Sequence, residues 1–526
     1  MATSYRAINA DLPDFETISL NSVDIDEYRN LIRKRAVSKE ESPGGTVCGQ
    51  LAGITLVVIG VALTLTFILK HGEKVAEQDN DGYFIFVYTT SICSMILLKF
   101  VFIRPRSGDE FVQRNARSHY LFVGAVLFGA CAMLYCGLTV AAVYDKSYIG
   151  ANTTTAVSSI CRILFTLAQL LFVCEYSNVC INKYNLLARL GVICIWAGNI
   201  GTWCRLYTKE TSETWITKDD TGELRCSNPD VNNTQWLDLK DSTVNNSTEL
   251  TFMSILHSAS ALLVPAAMEY DIIMSGVMFY MYTNVGNTCV IEDIRPRVRK
   301  NRSLKNSYFG FALGILVIVS SFAICMGYIR EVSKDPFEAE SMYYGYVGTM
   351  YLMTVIASLA GFLRIRNSDW IYNASARNDK QLETGLLLLS SVGQLIHPIF
   401  ACVAAYYSVD SYRHLHNAIV LLVKESLRIV GVFAQVTFLV ETLHRSPPPG
   451  QSRAIIVRQF VLFLILSNFT LWLLTFYELQ YIYVHPVQYC FYGKIAWSLI
   501  VHLSSPLEMY FRFHSVILML EIWESF

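Results

Sequence analysis

Twelve blocks of predominantly apolar residues, parted by polar segments, run along the chain from residue 48 onward. They fall near 48–70, 83–103, 119–143, 156–177, 186–207 and 251–284 and, after a basic interruption, near 308–328, 343–365, 382–408, 415–441, 456–480 and 493–520. About 20 mostly apolar residues suffice for a helix to cross the hydrocarbon of a bilayer. Inside lipid the backbone must satisfy its own hydrogen bonds, which selects helices for runs of this kind. The pattern predicts an all-α polytopic membrane protein with twelve transmembrane helices. It divides the chain into a tail at 1–47, a first half at 48–284, a linker at 285–307 and a second half at 308–526.

The polar segments set an orientation. Those after the second, sixth, eighth and tenth runs are basic: "RPRSGDEFVQRNAR", "IRPRVRKNRSLK", "RIRNSDWIYNASARNDK" and "HRSPPPGQSR". Those after the first and seventh, "HGEKVAEQDNDG" and "REVSKDPFEAES", are rich in acids. Positive loops stay in the cytoplasm, so both termini are expected there. Residues 1–47 are polar and charged, and no signal peptide is expected ahead of the first run. The long loop at 208–250 then lies outside, with sequons at Asn232, Asn245 and Asn246, and Asn152 lies in another outer loop. These four are the expected glycosylation sites. Sequons at Asn301 and Asn373 fall inside and the one at Asn468 falls within a span, so no glycan is expected on them.

Composition narrows the function. Only 16% of the residues are charged and the net charge is −1, against about 25% charged in soluble domains. That excludes the basic footprint of a nucleic-acid binder. The 14 Cys lie mostly in apolar runs without metal-ligand spacing, which suits small buried hydrophobes. Cys226 is in the outer loop, where it can pair, although no partner is evident. No cofactor motif and no Ser/His/Asp arrangement stands out, and no enzyme is expected.

The chain repeats itself. "RILFTLAQLLFVCE" at 162–175 returns as "RIVGVFAQVTFLVE" at 428–441, in the fourth and tenth runs. Asn199 precedes Trp203 by four residues in the fifth run, as Asn468 precedes Trp472 in the eleventh. "HSASALLVPAAMEYDIIMS" from His257 and "HLSSPLEMYFRFHS" from His502 keep His, Ser, Pro, Tyr and Ser in one order. The signals correspond run for run, which predicts two parallel six-helix repeats related by an axis along the membrane normal. A buried amide needs a hydrogen bond, so Gln169 with Asn199, and Gln435 with Asn468, are expected to form matching polar seams. As structural glue such bonds are worth only ~0.6–2 kcal/mol.

Ionisable residues within spans by default mark a pathway. The sixth run holds Glu269 and Asp271 around Tyr270; the twelfth holds Glu508, Arg512 and His514. Plain structural places account for several others. Glu425 with Arg428 reads as a local pair near the outer boundary, Glu175 and Glu441 as snorkelling acids at cytoplasmic ends, and Arg162 as interfacial. His257 and His397 read as satisfied core histidines. Glu269 resists such a reading, because it lies more than a turn from either end of its run and has no Lys or Arg at helical spacing. It is a candidate proton-binding carboxyl. His514 is a candidate for proton hand-off, since imidazole titrates near pH ~6.5. Aligning Pro265–Tyr270 with Pro506–Tyr510 sets Met509 opposite Glu269 and moves Glu508 to another helix face, so the acid–base chemistry is asymmetric.

At these residues the chain resembles the otopetrin family of proton channels. The stretches that carry the resemblance are "FTLAQLLFV", "ARLGVICIWAGNIGTW" and "PAAMEYDIIMSGVMFYMYTNVG" in the first half. In the second half they are "AQVTFLVETLHR", "VLFLILSNFTLWLLTFYE" and "PLEMYFRFHSVILMLEIW". The resemblance implies twelve helices in two barrels, a homodimer in the plasma membrane, proton conduction in response to extracellular acid, and block by zinc. It places the constrictions at Gln169 with Asn199 and at Gln435 with Asn468. It matches Glu269 to the acid before Tyr in span six, and His514 to the His of the Arg-x-His-Ser ending. Ile193 and Cys194 stand where family members often carry His, and Asn199 where some carry Asp. A proton-coupled secondary transporter shares the parallel-halves architecture and is the rival reading; a receptor or scaffold is the third. A potassium-type pore is disfavoured, because no Gly- and Thr-rich filter loop lies between spans.

Overall fold

The computed structural model describes residues 43–69, 74–102, 119–145, 153–176, 185–216, 252–285, 307–332, 334–367, 370–372, 381–408, 415–446, 453–478 and 486–525. Two compact units divide the chain, residues 1–48 and 49–526, and the geometry below belongs to the second. The sequons at Asn152, Asn232, Asn245 and Asn246, and Cys226, lie outside the described residues.

Each predicted run is a helix. The first six are α1 (Pro43–Leu69), α2 (Lys74–Leu97, prolonged by a π turn at Leu98–Phe102), α3 (His119–Tyr144), α4 (Thr153–Tyr176), α5 (Asn185–Ile216) and α6 (Phe252–Asn284). The others are α7 (Tyr308–Val332), α8 (Pro336–Arg366), α9 (Gln381–Ser408), α10 (Leu415–Leu443), α11 (Arg453–Tyr477) and α12 (Pro486–Ser525). Ten of them are long and apolar enough to cross a membrane; α10 and α12 are not among the ten. Both carry charged residues along their length, Lys424, Glu425 and Arg428 in α10, and Glu508 and Arg512 in α12. The protein is an all-helical, multi-pass membrane protein.

The largest differences from the expected boundaries are at α2 and α5, and α8 and α12 each begin seven residues early, at Pro336 and Pro486. α2 begins at Lys74, not 83, because polar Asn80 and Asp81 are buried inside the fold and belong to the helix. α5 runs on to Ile216, past the end of its apolar run. At Gly493, where the twelfth apolar run was expected to start, the backbone takes φ 77° and breaks α12 in two. A two-residue ladder, Ile371–Tyr372 (β1) with Arg445–Ser446 (β2), ties the segment after α8 to the segment after α10.

The helices close two rings. α2 packs on α4, α4 on α3, α3 on α6, α6 on α5, and α5 returns to α2. α8, α10, α9, α12 and α11 close in the same order. α1 and α7 stand outside the rings: only 22% of the apolar stretch of each is buried, and Leu51, Ile54 and Val58 of α1 and Leu316, Val319 and Phe322 of α7 face outward. α12 also packs against α3, α5 and α6, and α9 meets α6, forming a seam between the rings.

Close approach depends on missing side chains, as expected where lipid offers helices little hydrophobic reason to associate. A Cβ on Gly393 of α9 would run into Leu507 and the Ser504 carbonyl of α12. One on Gly310 of α7 would strike the backbone of Gln459 on α11, and the Gly310 N–H donates to the Gln459 Oε1 at 2.7 Å. Nine cysteines among the described residues are free, and they depart from the reading as small buried groups: Cys136 is buried, six are half-buried, and Cys93 and Cys174 are exposed on the helix surfaces. Cys490, near the start of α12, is disulfide-bonded.

Candidate functional site

The polar side chains of α4 recur at three- and four-residue steps. Thr155, Ser158, Arg162, Thr166 and Gln169 are all buried, as one helix face turned into the first ring requires. Arg162 Nη2 lies 3.2 Å from Asp271 Oδ2 of α6, with both side chains nearly fully buried. Asp81 of α2 accepts from Thr155 Oγ1 at 2.8 Å and pairs with Arg205 of α5, which also donates to Ser158 at 3.0 Å. Further along, the Tyr270 hydroxyl lies 3.1 Å from Gln169 Oε1 and 3.2 Å from the Thr166 carbonyl. Asn199 uses its amide N–H on its own helix, at the Ile195 carbonyl, 3.2 Å away. Gln169 Nε2 and Asn199 Oδ1 are buried and have no hydrogen-bond partner.

In the second ring α10 carries the corresponding face. Arg428, completely buried, donates from Nε to Gln394 Oε1 of α9 at 3.1 Å and lies 3.1 Å from His397 Nδ1 through Nη1. It pairs with Glu508 of α12 and lies 3.6 Å from Glu425. Lys424 bridges Glu425 at 2.9 Å and Glu478 at 3.6 Å, with its ammonium over the Tyr344 ring. One level on, Asn468 Oδ1 accepts from Gln435 Nε2 at 3.1 Å and from Arg512 Nη1 at 3.0 Å. Buried charges persist only when paired and hydrogen-bonded, and this ring pairs them densely. Both guanidiniums reach Gln394, so α9, α10, α11 and α12 form one bonded lattice.

The seam between the rings is different. Glu269 of α6 is 0% exposed. Its Oε1 accepts from Trp472 Nε1 of α11 at 3.4 Å, its Oε2 has no partner, and it makes no ion pair among the described residues. Tyr510 of α12 stacks on His514, ring centroids 5.4 Å apart, and its hydroxyl has no partner. His514 Nε2 lies 3.1 Å from the backbone carbonyl of Glu383 at the start of α9. A carbonyl only accepts, so Nε2 carries the proton, and the neutral ring leaves Nδ1 as a bare acceptor. That atom too is buried without a partner. Phe513 fills the rest of the seam, edge-on to Phe128 at 4.7 Å and beside Trp472.

The seam thus holds a carboxyl, a phenol and an imidazole, each with an unused buried site. The otopetrin family profile matches residues 120–250 and 226–513. The chain belongs to the otopetrin family. It is 22% identical to the proton channel OTOP2 of Mus musculus over 541 residues, covering 90% of this chain and 95% of that protein. To the proton channel OTOP3 of Homo sapiens it is 23% identical over 546 residues, covering 92% and 86%. To the proton channel OtopLc of Drosophila melanogaster it is 23% identical over 465 residues, which are 80% of this chain and 28% of that protein. The chain therefore spans under a third of the Drosophila otopetrin and most of the other two.

Several sequence expectations need correction in this otopetrin. Arg162 is not interfacial but half of a buried pair, because Asp271 waits for it on α6. Glu425 and Arg428 are not an isolated local pair but part of a lattice with Lys424, Glu508 and His397. The two amide seams are not alike: Gln435 bonds Asn468, whereas Gln169 is taken by Tyr270. His257 is exposed rather than a core histidine, and His502 is half-buried. Glu175 does lie at the surface, 3.1 Å from Lys99, and Glu441 pairs with Arg445. Asp81, Arg205, Gln394 and Glu383 escaped the sequence reading. A signal existed for Asp81, a polar cluster directly ahead of an apolar run; Gln394 had none beyond being an amide inside a span.

Proposed function

We propose that this otopetrin is a proton-selective channel of the plasma membrane that admits protons when the outside turns acid. The observation that carries the reading is Glu269: a fully buried carboxyl whose one hydrogen bond comes from Trp472 and which no cation neutralises among the described residues. A structural acid in such a place is expected to have a cationic partner, as Asp271 and Glu508 do. Glu269 instead can add and lose a proton with the pH of the water that reaches it. The names of the relatives, all proton channels, support the same reading.

External acid protonates Glu269. The proton moves along the seam past Tyr510, and His514 takes it up at Nδ1 while Nε2–H stays on the Glu383 carbonyl. Tyr270 with Gln169 and Asn199, and Gln435 with Asn468 and Arg512, brace the two rings and order water between their amides. All twelve helices cross the membrane, α10 and α12 included, because their charges face the second ring rather than lipid. The closed rings in matching order support two parallel six-helix halves. The disulfide at Cys490 supports an extracellular start for α12, since disulfides persist in oxidising compartments. Both termini are then cytoplasmic, the four sequons are glycosylated, and the protein works as a zinc-blocked homodimer as its resemblance implies.

The test is whole-cell current with sodium and potassium replaced by a large organic cation. A reversal potential moving about 59 mV per unit of external pH supports a proton channel; solute uptake without such current supports a coupled transporter. If Glu269→Gln and His514→Ala both carry wild-type current, the assignment of these two residues is wrong.

A further inference from the structure

We infer that a cavity at the head of the second ring binds a small ammonium cation that also carries a hydroxyl group, an amino alcohol in its charged form. The cavity measures about 540 Å³, the open space at its mouth included, within the range of small-molecule sites. Helices α8, α9, α10 and α12 and the end of α11 all contribute to its wall. Glu478, one residue past α11, and Gln488, near the start of α12, put it at the end of the ring that is extracellular in the orientation proposed above. Neither Glu269 nor His514 lines it, so its occupancy and the proton-channel reading stand or fall separately.

Charge is the first argument. The wall carries one cation, Lys424, and three acids, Glu425, Glu478 and Glu508. Arg428 behind it pairs with Glu508 and lies 3.6 Å from Glu425. His397 adds no charge: its Nδ1 lies 3.1 Å from Arg428 Nη1, and a guanidinium only donates, so Nδ1 is the bare acceptor of a neutral ring. Arg512 is held one level on, by the oxygens of Asn468 and Gln394. Lys424 lies 2.9 Å from Glu425 but 3.6 Å from Glu478. Glu478 is thus the least neutralised of the three acids, and the most exposed. Two fixed cations beside the cavity disfavour a divalent metal, and no three His, Cys, Asp or Glu among the described residues converge as metal ligands. A single positive charge fits. Two polar atoms describe the rest of the ligand. Gln488 and Trp497 line the cavity and are buried, yet Gln488 Oε1 and Trp497 Nε1 have no hydrogen-bond partner. The first is an acceptor without a donor, the second a donor without an acceptor. An ammonium group supplies N–H to Glu478 and Gln488, and a hydroxyl on the same molecule accepts from Trp497. Water is the rival occupant; it satisfies both atoms but brings no charge.

The test is equilibrium binding of radiolabelled ethanolamine to the purified full-length protein at neutral pH, where an alkyl amine is charged. Saturable binding of one molecule per chain is expected. Glu478→Gln is expected to weaken it about tenfold or more, the value of a hydrogen bond to a charged group. Unlabelled ethylamine keeps the charge and lacks the hydroxyl, so it is expected to compete about threefold or more less well than ethanolamine. In Trp497→Phe, which keeps the ring and loses the N–H, that difference between the two amines is expected to vanish. A merely structural part for Trp497 would weaken both amines alike. Three results each overturn the inference: no saturable binding to wild type, binding that Glu478→Gln leaves unchanged, or ethylamine competing as well as ethanolamine against wild type. If Glu478→Gln does not yield folded protein, the comparison of the two amines on wild type and Trp497→Phe decides alone.

Discussion

Replacing Asp271 with Asn strands Arg162 inside the first ring. The two side chains lie 3.2 Å apart and are 8% and 2% exposed. Two unit charges at that distance attract by about 5 kcal/mol at an effective dielectric of ~20. Desolvation offsets much of this in the intact pair. Once one partner is gone, however, the surviving charge keeps its desolvation cost, and breaking such pairs destabilises by about 3–5 kcal/mol. With an unfolding entropy of about 2.1 cal/mol/K per residue, the unit 49–526 shifts by about 1 °C per kcal/mol, so the Asp271→Asn protein is expected to melt roughly 3–5 °C below wild type in detergent. The double variant Arg162→Leu/Asp271→Leu removes both charges, and apolar replacements of buried pairs are often neutral or better. It is expected to recover most of the loss. Thermal unfolding of the purified protein, monitored for wild type, both single variants and the double variant, closes the cycle. A single-variant loss under about 1 kcal/mol, the value of a surface pair, would refute the reasoning; so would a double variant that loses the sum of the two singles.

Other expectations follow from the same contacts. Gln435→Leu removes one of two donors to Asn468 Oδ1 while Arg512 keeps the other, so the loss is expected to be about 1 kcal/mol, read by the same melting assay. Gly393→Ala pushes a methyl into Leu507 and the Ser504 carbonyl, overpacking the α9–α12 contact by about 1–3 kcal/mol; a fall in the yield of folded protein on size exclusion checks it. Glycosidase treatment of cell-surface protein is expected to increase its mobility, and the combined change of Asn152, Asn232, Asn245 and Asn246 to Gln to abolish that shift; an unchanged shift would place glycans elsewhere.

Most of the helices were legible because each needs only its own apolar run. Errors came where a helix extends past that run, as α2 does to bury Asp81 against Thr155 and Arg205. Hydropathy along one segment cannot report a partner that lies far away in sequence. Arg162 meets Asp271 across 109 positions, so an arginine near the end of a run reads as interfacial until the facing helix is known. Glu269 was legible for the converse reason: its isolation is partly local, visible as the lack of a cation at helical spacing. The repeat suggested equal amide pairs, but identical residues acquire different neighbours. Arg512 reinforces Asn468 in the second ring, while in the first Tyr270 draws Gln169 away. Glu383 left no trace in the pattern because its link to His514 runs through a backbone carbonyl, which any residue type supplies.

The break at Gly493 has a mechanical meaning for the helix that carries Glu508, Arg512 and His514. Three residues before it the chain is anchored by the disulfide of Cys490, and at Gly493 itself the backbone adopts a φ of 77°, a conformation that glycine takes at little cost. A rigid rod from Pro486 to Ser525 would pass any tug on its N-terminal end straight to Arg512 and His514. A joint at Gly493 absorbs the tug as bending, so that a pull at Pro486 leaves the registry of the helix beyond Gly493, and with it the distances along the seam, undisturbed.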